Sequence, residues 1–236
     1  MGLFVDGAGA AALLGRGATV LDSRGLVDFA MGHLPGAVRL GWRVGVEPGL
    51  TNGLLGDPQA AAAAFAAAGV DEERPVLVVG AWAGGWGEEG RLAWDLCYLG
   101  HPSVHILRGG AAAWVGPWAY LPGSPSPGRF RARVVPGLRA GRAELAQPGV
   151  TILDVREPDE FAGATRYGER RGGHIPGAVN RPWKGLLAGV DPLPGRVITT
   201  CTGGVRSAMA WALLHAAGVD VCHHDGGWWA YTGDEP

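Results

Sequence analysis

This sequence has almost no lysine, no long apolar run and no large net charge. Lys184 is the only lysine among 236 residues, and the net charge is −2 at pH 7. This balance offers no broad basic surface for nucleic acid or an anionic membrane. No apolar run approaches the roughly eighteen residues that cross a bilayer, and no basic segment with a following apolar stretch opens the chain. We therefore expect a cytoplasmic protein that acts on a small molecule, with no nucleic-acid or membrane partner.

Cysteine is scarce as well. The three cysteines, Cys97, Cys201 and Cys222, are far apart and form no CxxC pair, which argues against a disulfide framework or a zinc knuckle. Cys222 begins a Cys-His-His-Asp run, but successive residues of a strand point to opposite faces. We therefore expect no metal site there. Each cysteine can then be a reactive thiol or a small buried apolar side chain, and Cys97, among apolar residues of a predicted helix, fits the second.

What the chain does contain is an internal repeat. Leu-Asp-Ser-Arg at 21–24 is followed by Gly-His-Leu-Pro-Gly-Ala at 32–37, and Leu-Asp-Val-Arg at 153–156 is followed by Gly-His-Ile-Pro-Gly-Ala at 173–178. The order and the spacing agree, apart from nine extra residues in the second copy. Because a duplicated pattern indicates a duplicated fold, the sequence predicts two similar domains.

Each copy continues with a strand, a glycine-rich loop, a helix and a second strand. The predicted segments are 76–79, 91–99 and 104–107 in the first copy and 197–200, 206–217 and 219–223 in the second. This alternation predicts an α/β fold in which each domain is a parallel sheet flanked by helices on both faces. A stretch rich in Pro, Gly and Ser separates the copies. We expect a first domain at 1–118, a linker at 119–133 and a second domain at 134–236.

Cys201 stands where a predicted strand is followed by a helix. The loop continues as Thr202, Gly203, Gly204, Val205 and Arg206. A helix N-terminus presents unpaired N–H groups and the positive end of its dipole, and adjacent glycines let loop amides turn inward around negative charge. Together with the arginine, these groups favour the thiolate of Cys201, which is the nucleophilic form of cysteine.

Four motifs occur together in the second half: Asp-Val-Arg, Gly-His-Ile-Pro-Gly-Ala, the loop at 201–207, and Asp-Gly-Gly-Trp at 225–228. As a set they resemble the catalytic domain of rhodanese-type sulfurtransferases. The first half is similar to the family's non-catalytic N-terminal domain, because Gly80 stands where the second copy has Cys201. The resemblance implies two rhodanese-like domains, of which only the one at 134–236 is catalytic.

The resemblance also implies a ping-pong reaction at Cys201. The thiolate takes the outer sulfur of thiosulfate, sulfite leaves, and the loop amides hold the persulfide until cyanide or a thiol accepts the sulfur. Neither a metal nor an organic cofactor is implied. The partners are then a small anionic sulfur donor and a thiophilic acceptor, with a protein persulfide acceptor as a further option.

The Asp-x-Arg motif and the histidine of the Gly-His motif occur in both copies, including the copy without a nucleophile. The residues are Asp22, Arg24 and His33 in the first copy and Asp154, Arg156 and His174 in the second. A feature that recurs where no chemistry occurs is poor evidence for catalysis. We therefore expect an internal ion pair or a fixed turn from these residues.

The anion site departs from the family's pattern. The mammalian thiosulfate enzymes carry basic residues where this loop has Thr202 and Gly203, and the family's substrate-binding arginine is replaced by Glu160. The insertion of the second copy contains Arg166, Arg170 and Arg171. We expect at least one of these arginines to help bind the donor, and the alternative is that they form a solvated face. The donor stays open between thiosulfate, 3-mercaptopyruvate and a protein persulfide.

Two other functions fit parts of the pattern. Cysteine phosphatases of the cell-cycle dual-specificity type share the rhodanese fold but need five residues between cysteine and arginine to surround a phosphate, and Cys201 and Arg206 enclose four. A non-enzymatic binding module would lack the cysteine, as the first copy does. We therefore favour a thiosulfate sulfurtransferase in which Arg206 activates Cys201 and binds the donor. The alternative role for Arg206 is to fix the shape of the loop.

Overall fold

A computed structural model describes residues 2–46 and 53–233 of the chain. Contacts divide it into two units: Met1–Gly45 with Asp57–Val134 form unit 1, and Val46–Gly56 with Val135–Pro236 form unit 2. Among the described residues, no helix is both long and apolar enough to span a bilayer.

Unit 1 is a parallel sheet of five strands with helices around it. The strands are β1 (Phe4–Val5), β2 (Thr19–Asp22), β3 (Val38–Arg39), β4 (Val76–Val79) and β5 (Val104–Leu107), in the order β1-β5-β4-β2-β3. The helices are α1 (Gly7–Gly15), α2 (Leu26–Ala30), α3 (Pro58–Ala67) and α4 (Glu88–Tyr98). Short 3₁₀ turns lie at Trp42–Gly45, Trp82–Gly84 and Gly110–Ala113. All described pairings between these strands are parallel.

Unit 2 repeats the same topology. Its strands are β6 (Arg139–Ala140), β7 (Val150–Asp154), β8 (Val179–Asn180), β9 (Arg196–Thr200) and β10 (Val221–His224), in the order β6-β10-β9-β7-β8. Its helices are α5 (Arg142–Leu145), α6 (Pro158–Ala162), α7 (Val205–Ala216) and α8 (Gly227–Thr232), with 3₁₀ turns at Pro136–Leu138 and Trp183–Leu187. The prediction of two α/β domains with parallel sheets is confirmed, since the internal repeat of the sequence is a repeat of the sheet.

The central strands form because they are apolar throughout. All four residues of β4 are buried, and β9 is buried from Val197 onwards. A strand covered on both faces by helices needs no polar alternation, which is why these segments are continuous apolar runs. The predicted strands at 76–79 and 104–107 coincide with β4 and β5. Helix α4 begins at Glu88, earlier than predicted, because acidic residues are stabilised in the first turn of a helix.

The predicted linker lies along unit 1. The amide of Gly123 donates to the Ala37 carbonyl at 3.0 Å, and the amide of Gly128 donates to Ala66 at 2.8 Å. These bonds fix the path of a segment that its composition alone would leave unconstrained. The domain boundaries at 118 and 134 stay predictions.

The Asp-x-Arg motif forms the same ion pair in both units. The Arg156 guanidinium lies 2.6 Å from the Asp154 carboxylate and donates to the Gly173 carbonyl at 2.8 Å. In unit 1, Arg24 repeats both bonds to Asp22 and Gly32, at 2.6 and 2.8 Å. The motif therefore ties the end of β2 or β7 to the Gly-His turn, which confirms the expected ion pair.

The histidine of each Gly-His motif packs on an aromatic ring of the preceding helix. His33 stacks on Phe29 with ring centroids 3.9 Å apart, and His174 stacks on Phe161 at 3.8 Å. In each case Nδ1 lies 2.9 Å from the carbonyl of that same phenylalanine. Both histidines therefore fix a turn, as the sequence predicts.

Candidate active site

Cys201 follows the last residue of β9 and lies before the N-terminus of α7. Gly204 precedes the first residue of the helix with a φ of +91°, a conformation that glycine adopts without steric cost. This turn brings the Gly204 amide to the cysteine. The Cys201 side chain is buried, at 2% exposure, so its chemistry is governed by its immediate hydrogen-bond donors.

Two donors meet the Cys201 sulfur. The Gly204 amide lies 3.1 Å from Sγ, and the Ser207 hydroxyl donates to Sγ from 3.2 Å. Both donors favour negative charge on the sulfur, and the N-terminal end of the α7 dipole has the same sign of effect. The amide nest was expected from the sequence, whereas Ser207 was missed as a contributor. Its signal was its place in the first turn of the helix that follows the loop.

The turn between β10 and α8 holds the loop from the other side. The Trp228 amide donates to the Cys201 carbonyl at 2.8 Å, and the Trp229 amide donates to the Thr202 carbonyl at 3.2 Å. Gly227 makes this approach feasible: its φ is +59°, and a Cβ there would collide with both carbonyl oxygens. The Asp-Gly-Gly-Trp motif is thus a backbone clamp on the cysteine loop.

Glu160 forms the centre of a closed polar network behind the loop. Its two carboxylate oxygens accept from the Arg206 guanidinium at 2.6 and 2.7 Å. Thr202 Oγ1 donates to the same carboxylate at 2.9 Å and accepts from Arg206 at 2.8 Å. Glu160 comes from α6 and is fully buried. Sequence reasoning treated this position only as an absent arginine and missed that it pairs with Arg206.

The charges of this network are locked in place. Burial alone would raise the pKa of Glu160, but the hydrogen bonds and charge of Arg206 outweigh it and lower that pKa. Burial would likewise lower the pKa of Arg206, and its bonds to Glu160 raise it instead. The Tyr167 ring lies 5.6 Å from the guanidinium carbon. The positive charge of Arg206 is therefore balanced by a carboxylate and held in one orientation.

The arginines of the insertion lie at the surface. Arg166 forms an ion pair with Asp159, and Arg170 and Arg171 are exposed. The indole of Trp228 donates to the Arg171 carbonyl at 2.8 Å, which ties the insertion to the backbone clamp. Within the described part of the chain, no hydrogen bond joins these three side chains to residues 201–204. Their role in donor binding stays a prediction.

The other two cysteines are in different surroundings from Cys201. Burial raises the pKa of the Cys97 thiol on α4 and of the Cys222 thiol on β10. Burial also lowers the pKa of the neighbouring His224 to about 4, and its ring bonds to Thr200 Oγ1 at 3.0 Å. Among the residues that the structure describes, no group of His, Cys, Asp and Glu is arranged to hold a metal ion.

Unit 1 has a loop that corresponds to the Cys201 loop, but a different side chain occupies it. Gly80 follows β4 as Cys201 follows β9, and the Ala111 amide donates to its carbonyl at 2.9 Å, repeating the backbone clamp. The carboxylate of Glu89 lies against Gly80, where a side chain at that position would project. The space of the nucleophile is thus taken by a carboxylate.

A family model for the rhodanese-like domain matches the chain twice, at residues 8–116 and 140–234. The thiosulfate sulfurtransferase of Corynebacterium glutamicum is 31% identical, over 85% of this chain and 77% of that protein. The thiosulfate sulfurtransferase of Pseudomonas aeruginosa is 27% identical, over 92% of this chain and 88% of that protein.

Solved structures share the fold. SseA from Escherichia coli, described as a 3-mercaptopyruvate sulfotransferase, matches with a TM-score of 0.82 and 23% identity, over 97% of this chain and 99% of that chain. A complex of EanB with ergothioneine matches with a TM-score of 0.82 and 19% identity, over 99% and 69% of the two chains. At these identities the likeness extends to the fold alone.

Proposed function

The chain belongs to the rhodanese family, and we propose that it is a sulfurtransferase that carries a sulfane sulfur as a persulfide on Cys201. The observation that carries the proposal is the pair of donors on the Cys201 sulfur, the Gly204 amide and the Ser207 hydroxyl. Donors held at the start of a helix stabilise a thiolate before the reaction and a persulfide anion after it. Among the described residues, neither Cys97 nor Cys222 accepts such a pair of hydrogen bonds from an amide and a hydroxyl.

The proposed reaction has two steps. The Cys201 thiolate attacks the outer sulfur of thiosulfate, a sulfur–sulfur bond to the protein forms, and the bond to the sulfonate sulfur breaks so that sulfite leaves with its electron pair. Cyanide or a thiolate then attacks the outer sulfur of the persulfide, and the Cys201 thiolate is released. Neither step needs an external oxidant: in the first, the sulfane sulfur passes from sulfite to the thiolate at the same oxidation level, and in the second, the electron pair of the acceptor forms the new bond to sulfur while the sulfur–sulfur bond pair leaves with the Cys201 thiolate.

We assign the anion-binding parts as follows. The backbone of Thr202, Gly203, Gly204 and Val205 surrounds the transferred sulfur. Arg206 acts on Cys201 through the loop, because its guanidinium is engaged by Glu160 and Thr202. The surface arginines of the insertion attract the donor from solvent. Thiosulfate is the proposed donor, supported by the names of the relatives, and 3-mercaptopyruvate is the alternative.

Intact-mass measurement after incubation with thiosulfate tests the proposal. We expect one added sulfur atom on the native protein, none on Cys201→Ser, and one on the matched variants Cys97→Ser and Cys222→Ser. Retained labelling of Cys201→Ser would refute the assignment. Steady-state rates with thiosulfate and with 3-mercaptopyruvate under identical conditions then decide between the two donors.

A further inference from the structure

Unit 1 contains a cavity of about 590 Å³ at the carboxyl ends of its parallel strands. Ligands of α/β sheets bind at this edge, and the volume is that of a small-molecule site. Charged, aromatic and thioether side chains line the cavity together with a glycine of the loop after β4; these residues are Arg24, Asp28, Met31, Gly80, Trp118 and Tyr120. In unit 2 the Cys201 loop occupies the corresponding edge of the sheet. The non-catalytic unit has therefore lost the nucleophile but kept a cavity of ligand size.

A buried carboxylate lies beside this cavity. Glu89 is fully buried and packs against the lining residue Gly80. One of its oxygens accepts from the Trp82 amide at 2.9 Å, while Oε2 has no hydrogen-bond partner. Trp82 itself has a φ of +54°, a strained conformation for a bulky residue. Strain and an unpartnered polar atom at a cavity both indicate a site whose interactions are incomplete without a ligand.

The charged groups that line the cavity sum to a negative charge. The Arg24 guanidinium is neutralised by its ion pair with Asp22. Asp28 lies on the first turn of α2, exposed, and forms no ion pair among the described residues. Burial raises the pKa of Glu89 to about 7, so this group adds part of a further negative charge near neutral pH. A ligand of positive charge is favoured.

The exposed side chains that line the cavity also favour a cation. Trp118 is 39% exposed, Tyr120 68% and Met31 76%, so two aromatic side chains and a flexible thioether are accessible to a ligand. Aromatic faces attract cations through their quadrupole, and methylated ammonium groups are recognised by aromatic side chains in combination with carboxylates. Methionine adapts its shape to such a group.

We propose that this cavity binds a small organic cation whose ammonium group is alkylated, with Trp118 and Tyr120 as walls and Asp28 as counter-charge. The inference does not depend on sulfur transfer. It assigns opposite ligand charges to the two copies of one fold: the loop after β9 stabilises an anion, and the cavity beside the loop after β4 accepts a cation.

Isothermal titration of the full chain with choline tests the proposal, with 3,3-dimethylbutan-1-ol as a neutral probe of the same shape. We expect one choline site and about tenfold weaker binding of the alcohol, the size of a partly desolvated cation–π and charge interaction. Benzyltrimethylammonium is the second cationic probe, and thiosulfate is an anion control whose interaction should be the same for the native protein and for the two cavity variants, Asp28→Asn and Trp118→Ala.

The variants separate this cavity from other sites. Asp28→Asn and Trp118→Ala should each weaken choline binding, whereas Asp220→Asn, which changes an exposed acid of unit 2, and Cys201→Ser should not. Asp28 is exposed, so its variant keeps the test valid if Trp118→Ala does not fold. Absence of binding by both cations, equal affinity for choline and the alcohol, or binding that survives both cavity variants would overturn the proposal.

Discussion

The two strand-to-helix loops of this chain share a backbone and differ in what they hold. After β9 the loop carries Cys201, and the second residue of the following helix is Arg206. After β4 the loop carries Gly80, and the second residue of the following helix is Glu89. The clamping amides are alike, at 2.8 Å to the Cys201 carbonyl and 2.9 Å to that of Gly80.

The backbone of such a loop and the side chains that would carry its chemistry are therefore specified by different residues. The backbone clamp and the Asp-x-Arg ion pair occur in both units, whether or not a cysteine is present. Two side chains then distinguish the units. The loop carries the thiol of Cys201 in unit 2 and no side chain in unit 1, and the second residue of the following helix is a cation in unit 2 and an acid in unit 1. Each prediction below changes one of these parts.

The largest expected effect comes from the ion pair behind Cys201. Arg206→Met would leave Glu160 buried and unpaired, a change that costs about 3–5 kcal/mol of stability in comparable cases. The loop would also lose the bond between Arg206 and Thr202. We expect a loss of sulfur transfer and a rise in the pH at which iodoacetamide alkylates Cys201. Arg206→Lys should change the alkylation profile less, because the charge is kept although the planar fork of donors is not.

The matched control for this prediction is Glu89→Gln, which alters the buried residue at the same helix position of unit 1. It should leave both the alkylation profile and the transfer rate unchanged. An alkylation profile that does not move in Arg206→Met, in protein that is folded by circular dichroism, would leave Arg206 a residue that only shapes the loop.

The next effect concerns the two glycines that permit the backbone clamps. Gly227 in unit 2 and Gly110 in unit 1 have φ values of +59° and +66°, and a Cβ at either would collide with a carbonyl oxygen of the clamped loop. Alanine at either position should lower the free energy of unfolding by about 2–4 kcal/mol. Only Gly227→Ala should slow sulfur transfer, by about a hundredfold, because it displaces the reacting cysteine.

Denaturant titration and steady-state rates of the two alanine variants measure this difference. If Gly110→Ala slowed sulfur transfer as much as Gly227→Ala, the clamp of unit 1 would have a catalytic role, and the separation between backbone and chemistry would fail.

The sequence predicts those features of the two units that depend on residues close together in the chain. The repeated motifs located both sheets, and the apolar runs located β4, β5 and most of β9, because buried parallel strands are continuous in hydrophobicity. The position of Cys201 between a strand and a helix is likewise predicted by an apolar run, a glycine-rich turn and a helical pattern in succession. These are properties of neighbours in the chain.

The parts that could not be predicted join residues distant in the chain. Glu160 binds Arg206, which lies 46 positions further along the chain. From the sequence, position 160 shows only that the family's arginine is absent. The structure shows that the glutamate in its place is the partner of Arg206. Glu89 fills the space above Gly80 only because α4 begins at Glu88. Neither contact leaves a periodic signal, so only the packed structure reveals it.

The smallest expected effect is the failure of a restored cysteine. In a Cys201→Ser background, Gly80→Cys should load no sulfur from thiosulfate, because its Cβ would fall 2.8 Å from the Cβ of Glu89 and directly on the Glu89 carboxylate. A negative group in that place also opposes a thiolate, where the second unit offers a serine hydroxyl and an amide. Intact mass gives the result against a background without label. Adding Glu89→Gly removes both the collision and the charge. A trace of labelling in that double change alone would show that the Glu89 side chain prevents the loop of unit 1 from loading sulfur. Full labelling of Gly80→Cys by itself would show that the loop backbone is sufficient for sulfur loading, and it would contradict this prediction.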